Sequence, residues 1–125
     1  MTAVTDPARK LIDLLDRSDQ AAPTRSCFLL RVRPDRLTEY VEAHQHVWPE
    51  MRAALSAAGW RNYSLFLDAA TGTVVGYFEA EDAEQARRAI AATETNARWQ
   101  AAMRDYFVPP DGGSDHILPQ YFYLP

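Results

Sequence analysis

The chain has 125 residues, 47% hydrophobic and 24% charged, with a net charge of −4 at pH 7. That length supports one domain, which buries roughly two-thirds of its unfolded surface, and the weak acidic balance offers no field that would hold nucleic acid or an anionic membrane. Its basic residues are Lys10 and scattered arginines with no phosphate-tracking stripe, and Cys27 is the only cysteine, which excludes an intramolecular disulfide.

In the N-terminal stretch Asp13 and Asp16 interrupt the leucines, so no apolar run reaches signal-peptide length. Nothing later approaches a membrane span, and a soluble, cytoplasmic protein is expected. Leu11, Ile12, Leu14 and Leu15 suit one short amphipathic helix, followed by the linker SDQAAPT. Residues 1–24 are read as an extension, a flexible or loosely docked arm, ahead of a domain spanning 25–125.

That domain opens with a strand, SCFLLRV from Ser26 to Val32, in which Cys27 reads as a small buried hydrophobe. RPD turns the chain, and Asp35 is placed to cap the next helix. Leu37, Tyr40, Val41, His44, Val47, Trp48, Met51 and Leu55 then recur at helical spacing until Gly59. Pro49 interrupts this pattern through its missing N–H and its ring, predicting a kinked helix or two helical pieces.

NYSLFLD and TVVGYFEA form a hairpin around AATG, with Gly72 free to take a positive φ. Asp82 caps a second main helix. TNARWQAAMRDYF predicts a further helical turn or two, VPPDGGSDHILP a surface loop, and QYFYLP a closing aromatic strand. The order β-α-β-β-α-β is the split βαβ, ferredoxin-like α+β arrangement. Helices on one face of a four-stranded sheet leave the other face needing cover, and a second copy of the chain, giving a homodimer, is expected there.

Chemistry concentrates in EYVEAHQHVWPEM. Residues four apart share a helix side, so Tyr40 and His44 project together with Trp48 beyond them. His46, about 200° further round, points to the side of Glu39, Glu42 and Glu50. An inward histidine is most simply a core residue with both ring nitrogens satisfied. The functional alternative is a general acid/base, favoured by the neighbouring tyrosine and by an imidazole pKa of about 6.5.

Metal binding fits poorly, since His44 and His46 diverge, His116 is remote, and neither HxxxH nor HExxH occurs. No nucleophile elbow or phosphate-cradling glycine pattern is present. Tyr63, Trp99, Tyr121 and Tyr123 read first as core packing. A pocket of tyrosine hydroxyls, a histidine and a tryptophan face, without an arginine clamp, also suits a neutral polar ligand such as a sugar.

RVRPDRLTEYVEAHQHVWPEM, NYSLFLD, ATETNARWQAAM and the terminal FYLP resemble, in that order, the L-rhamnose mutarotases. The resemblance covers about Arg25 to Pro125. It implies a dimeric α+β barrel of ferredoxin-like protomers, interconverting the α and β anomers of L-rhamnose with no metal or organic cofactor. It places the catalytic proton donor on His44 and substrate-binding residues on Tyr40, Tyr63, Trp99 and Gln100. Gln100 stands where that family has a second tryptophan, and Ser26 where a basic residue is common.

The implied mechanism has a His44 imidazolium protonating the ring oxygen while Tyr40, Tyr63 or a water takes the anomeric proton. Two other readings stand beside it: a cofactor-free monooxygenase on the same dimeric α+β barrel fold, and a sugar-binding module without turnover.

Overall fold

A computed structural model describes residues 6–108 and 115–125. Helix α1 (Pro7–Asp16) starts with Pro7 in its first turn and Asp6 capping the Ala8 N–H at 3.1 Å. It buries none of its residues, and Leu11, Ile12 and Leu14 are all more than half exposed. The four strands β1 (Arg25–Arg31), β2 (Arg61–Asp68), β3 (Thr73–Glu79) and β4 (His116–Leu118) make one antiparallel sheet in the order β2-β3-β1-β4. This is the ferredoxin-like α+β order expected from the pattern.

Between β1 and β2 lie α2 (Leu37–Gln45) and α3 (Pro49–Ala57). The proline does restart the helix: Pro49 opens α3, and Trp48 before it is forced into extended backbone at φ −53°, ψ 135°. Asp35 is not the cap of α2. Pro34 winds residues 34–36 into a 3₁₀ turn that leads straight into the helix, and the Asp35 carboxylate pairs with Arg33 at 2.8 Å.

Gly59 closes α3 in left-handed backbone at φ +98°. Gly72 makes the hairpin turn at φ +79°, where a Cβ would also run into the Val32 carbonyl. Gly76 lies directly opposite Phe28, whose ring fills the space a side chain would need.

Helix α4 (Ala83–Ala91) is capped as expected by Asp82, which accepts from the Gln85 N–H at 3.1 Å. The helical segment after it is longer than predicted. Helix α5 (Glu94–Met103) runs ten residues because Thr93 caps it, accepting from Asn96 at 3.1 Å while donating to the Ile90 carbonyl at 2.8 Å.

The closing strand is displaced relative to expectation. The ladder with β1 is made by His116, Ile117 and Leu118, opposite Leu29, Phe28 and Cys27, within the segment read as loop; residues 109–114 of that loop lie outside the described residues. Pro119 has no N–H to offer and ends the pairing. The terminal QYFYLP is therefore not a strand, and Tyr121 and Tyr123 do not join the core, being 74% and 43% exposed. Side chains tie it to the N-terminal linker instead: Gln120 accepts from Ala22 at 3.3 Å, Gln20 accepts from Tyr123 at 3.4 Å, and the Arg25 guanidinium lies 3.5 Å from the Tyr123 ring centre.

Strand alternation sends Ser26, Phe28, Val32, Val74 and Phe78 to the helix-covered face, all buried. Trp60 lies 3.7 Å from Phe78, nearly parallel to it, and its indole N–H donates to Ala86 of α4 at 3.0 Å. Cys27, on the other face, is only half-buried. No helix among the described residues is long and apolar enough to cross a membrane.

Candidate active site

A cavity of about 430 Å³ opens between the sheet and the helices, lined by Tyr40 and His44 of α2, Trp60, Arg87 of α4, Trp99 and Gln100 of α5, and Asp115 before β4. Helical spacing brings Tyr40 and His44 together as expected, with ring centres 4.4 Å apart. His46 is exposed, as expected, and caps α2 at its C-terminus. Trp48 reaches the site by another route than a continuous helix. As the residue before Pro49 it turns back so that its ring meets Trp99 edge-on at 5.0 Å, and Trp99 in turn meets His44 edge-on at 5.4 Å.

His44 is half-buried, and its Nδ1 lies 2.9 Å from the Tyr40 carbonyl oxygen, four residues back in the same helix. A carbonyl only accepts, so Nδ1 carries the proton and Nε2 is the acceptor nitrogen of the neutral ring. Desolvation lowers the His44 pKa below 6.5, against the opposing pull of that carbonyl. The resting residue is therefore neutral at pH 7, whereas the implied mechanism began from an imidazolium.

Burial pushes the Tyr40 phenol up to about 12, with the Asp115 charge acting in the same direction. Tyr63 is shifted upward as well, by desolvation first and then by Tyr40 and Asp115. Both phenols keep their protons near neutrality and serve as hydrogen-bond donors. Tyr63 is 39% exposed overall, yet its ring packs 4.8 Å from Trp60 and 6.2 Å from Phe28. It stands beside the cavity rather than in its wall. A bulge between Arg61 and Ser64, with Asn62 at φ +50°, aims it there.

Trp99 is 7% exposed and belongs to the core as well as to the cavity. Gln100 is exposed and reaches Asn96 through its amide at 3.3 Å. Of the five residues picked from the sequence, four line the cavity and Tyr63 stands next to it.

Sequence reasoning missed Arg87 and Asp115. The cavity also carries Arg104, so two arginines line a wall for which no arginine clamp was expected, and Asp115 sets a carboxylate among these cations. Arg87 donates to Ser26, so a guanidinium from α4 reaches the strand position noted above for lacking a basic residue. No group of three or more His, Cys, Asp or Glu side chains able to hold a metal ion occurs among the described residues.

A second, larger depression of about 730 Å³ lies between the linker at Ala21–Pro23, the start of α4 and the tail at Ile117–Phe122. It contains neither Tyr40 nor His44.

The L-rhamnose mutarotase family model matches residues 25–124. An L-rhamnose mutarotase of Oceanobacillus iheyensis is 41% identical over 80 residues, covering 64% of this chain and 76% of that protein. One of Escherichia coli is 34% identical over 103 residues, covering 81% of this chain and 98% of its own. The crystal structure of an L-rhamnose mutarotase from Formosa agariphila superposes with a TM-score of 0.69 at 24% identity, over 81% of this chain and 98% of that one. A dimeric ferredoxin-like protein from an uncultured marine organism superposes with a TM-score of 0.52 at 15% identity, over 80% and 92%.

Proposed function

The chain belongs to the L-rhamnose mutarotase family, and from that premise we propose that it is an isomerase interconverting the α and β anomers of L-rhamnose or a related 6-deoxyhexose by general acid/base ring opening. The observation that carries the mechanism is the His44 Nδ1 contact to the Tyr40 carbonyl at 2.9 Å, which makes Nε2 the proton acceptor.

Opening the pyranose moves one proton from the anomeric hydroxyl to the ring oxygen, and closing moves it back. Both oxygens sit on one carbon, so a single nitrogen can serve both. Neutral His44 takes the anomeric proton, becomes the imidazolium, and delivers that proton to the ring oxygen. The open-chain aldehyde turns about its terminal C–C bond, and the reverse transfers close the other anomer. Tyr40, a protonated phenol in the cavity wall, donates to the oxygen on which charge develops, and Tyr63 approaches the sugar from beside the cavity. Trp99 supplies an apolar wall for a C–H face of the sugar, and Gln100 supplies an amide where the family's second tryptophan would stand. A neutral sugar suits a cavity in which the Asp115 carboxylate acts against the Arg87 charge.

The same proposal includes a homodimer formed over the open sheet face, with residues 1–24 outside the catalytic unit. That face carries the cross-strand row Phe66, Val75 and Leu29, which no helix among the described residues covers. A homodimer of this kind agrees with a structural neighbour named as dimeric.

The test is anomer exchange followed by saturation-transfer NMR. The parent should accelerate exchange of L-rhamnose, and His44→Gln should lose about 10²–10⁴-fold in kcat while melting like the parent. A parent that accelerates no sugar overturns the function, and an active His44→Gln protein overturns the mechanism.

A further inference from the structure

Three charged side chains with no part in the proton transfers line the same cavity as Tyr40 and His44: Arg104, Arg87 in the middle of α4, and Asp115 one residue before β4; the last two are the ones whose charges act on one another. His116 stands opposite Leu29 in the ladder and Ile117 opposite Phe28, so alternation puts Asp115 on the helix-covered face. Asp115 is exposed as a residue, yet its carboxyl is desolvated enough to be pushed up, with Arg87 pulling the other way. Its charge is felt by both Tyr40 and Tyr63.

Arg87 is held firmly. Its guanidinium lies 5.3 Å from the Phe78 ring centre and 6.0 Å from that of Phe28. It donates through Nη2 to Ser26, itself 8% exposed, while its Nε–H is buried without an acceptor among the described residues. The charges of Arg87 and Asp115 act on one another, but the two form no ion pair among the described residues. Two opposite charges facing one cavity, unbonded to each other, leave a donor and an acceptor for a ligand. A hydroxyl both donates and accepts, so two adjacent hydroxyls can join the pair, and a charge-assisted bond of this kind discriminates strongly against a ligand lacking one of them.

We propose that Arg87 and Asp115 bracket two adjacent ring hydroxyls of the sugar, Arg87 donating to one oxygen and Asp115 accepting the hydrogen of its neighbour, and so determine which sugar the enzyme accepts. This rests on the mutarotase reading. Both are substrate-binding residues that carry no proton in the reaction, and their loss appears in KM.

The experiment measures kcat and KM for anomer exchange of L-rhamnose and its 2-, 3- and 4-monodeoxy analogues with the parent, Asp115→Ala, Arg87→Met and Arg87→Lys. Asp115→Ala, at an exposed residue, should raise KM for L-rhamnose about tenfold or more and leave kcat within about threefold. For at least one monodeoxy sugar that penalty should vanish, because the hydroxyl it reads is already gone. Arg87→Met should show the same signature with a different analogue, and Arg87→Lys should recover part of it.

A KM for Asp115→Ala within about twofold of the parent overturns the bracket, as does an equal penalty on every sugar. Should Arg87→Met fail to fold, Asp115→Ala alone decides. Parent activity on L-rhamnose tests the mutarotase reading separately. If the parent turns over no sugar, dissociation constants of the same sugars and variants decide the bracket by the same criteria.

Discussion

On the helix-covered face of the sheet Phe28, Val74 and Phe78 are at most 2% exposed, whereas on the other face Phe66, paired with Val75, is 63% exposed. The sheet is the same, and alternation separates the two sets, with the edge position of β2 adding to the exposure of Phe66. The covered face holds the core and the cavity at once: Tyr40 and Trp99 are 4% and 7% exposed and line the cavity as well. The open face presents Phe66, Val75 and Leu29 in one cross-strand row and Ser64, Tyr77, Cys27 and Leu118 in the next, without covering helices among the described residues. Within one protomer, the core and the cavity thus share one side, and the other side is the one on which the proposed association would be built.

The largest expected difference between the faces is in stability. Phe78 is fully buried, with Trp60 against its ring and the Arg87 guanidinium over it. Phe78→Ala should destabilise the fold by about 3–5 kcal/mol, through lost transfer energy plus the cavity it leaves. Urea unfolding measures this, and a loss below about 1 kcal/mol would mean that Phe78 is not the keystone of the covered side.

A smaller effect is expected from Phe66→Ser. At an exposed edge-strand position it should change protomer stability by no more than about 0.5 kcal/mol. It should still weaken self-association, because a polar side chain enters the apolar row. Sedimentation across a dilution series of parent and variant checks this. Identical association curves would remove Phe66 from the dimer surface, and a parent that stays monomeric would remove the dimer.

Features set by local chemistry were legible before the fold was known: the restart at Pro49, the turn at Gly72, the Asp82 cap, and the parting of His44 from His46 by helical angle. Features decided by a distant partner were not. Residues 116–118 look like loop because three residues carry no periodicity, and only their pairing with β1 makes them a strand. Asp115 was hidden in that segment. Arg87 reads as a solvated helix residue until Ser26, 61 positions earlier, is seen to hold it. The bulge that aims Tyr63 depends on Asn62 in a left-handed conformation that no motif announces.

The two faces also respond differently to acid, and this is the smallest effect. On the covered side His44 resists protonation because its charged form is desolvated; on the open side Glu79 resists it because its anion is bonded, by the Tyr77 hydroxyl at 2.5 Å and the Asn62 amide at 2.7 Å. The folded pKa of His44 lies below 6.5, so as pH falls through that value the unfolded chain takes up the proton first and the folded state loses ground. Glu79 is held below 4.5, so its contribution is complete above that pH and is lost as pH falls through its folded value. Acid should therefore remove these two contributions in separate windows, one on each face, while Asp115, raised above 3.8 on the covered face, works in the opposite direction in the carboxylate range.

Unfolding free energies of the parent, His44→Gln and Tyr77→Phe across this range resolve the two. The stability of the parent relative to His44→Gln should be flat above pH 6.5 and decline below it. Relative to Tyr77→Phe it should stay flat down to about pH 4.5 and shrink only below that. A decline against Tyr77→Phe that began in the histidine window would mean that the open-face hydroxyl is coupled to the cavity, and the separation of the two faces would fail.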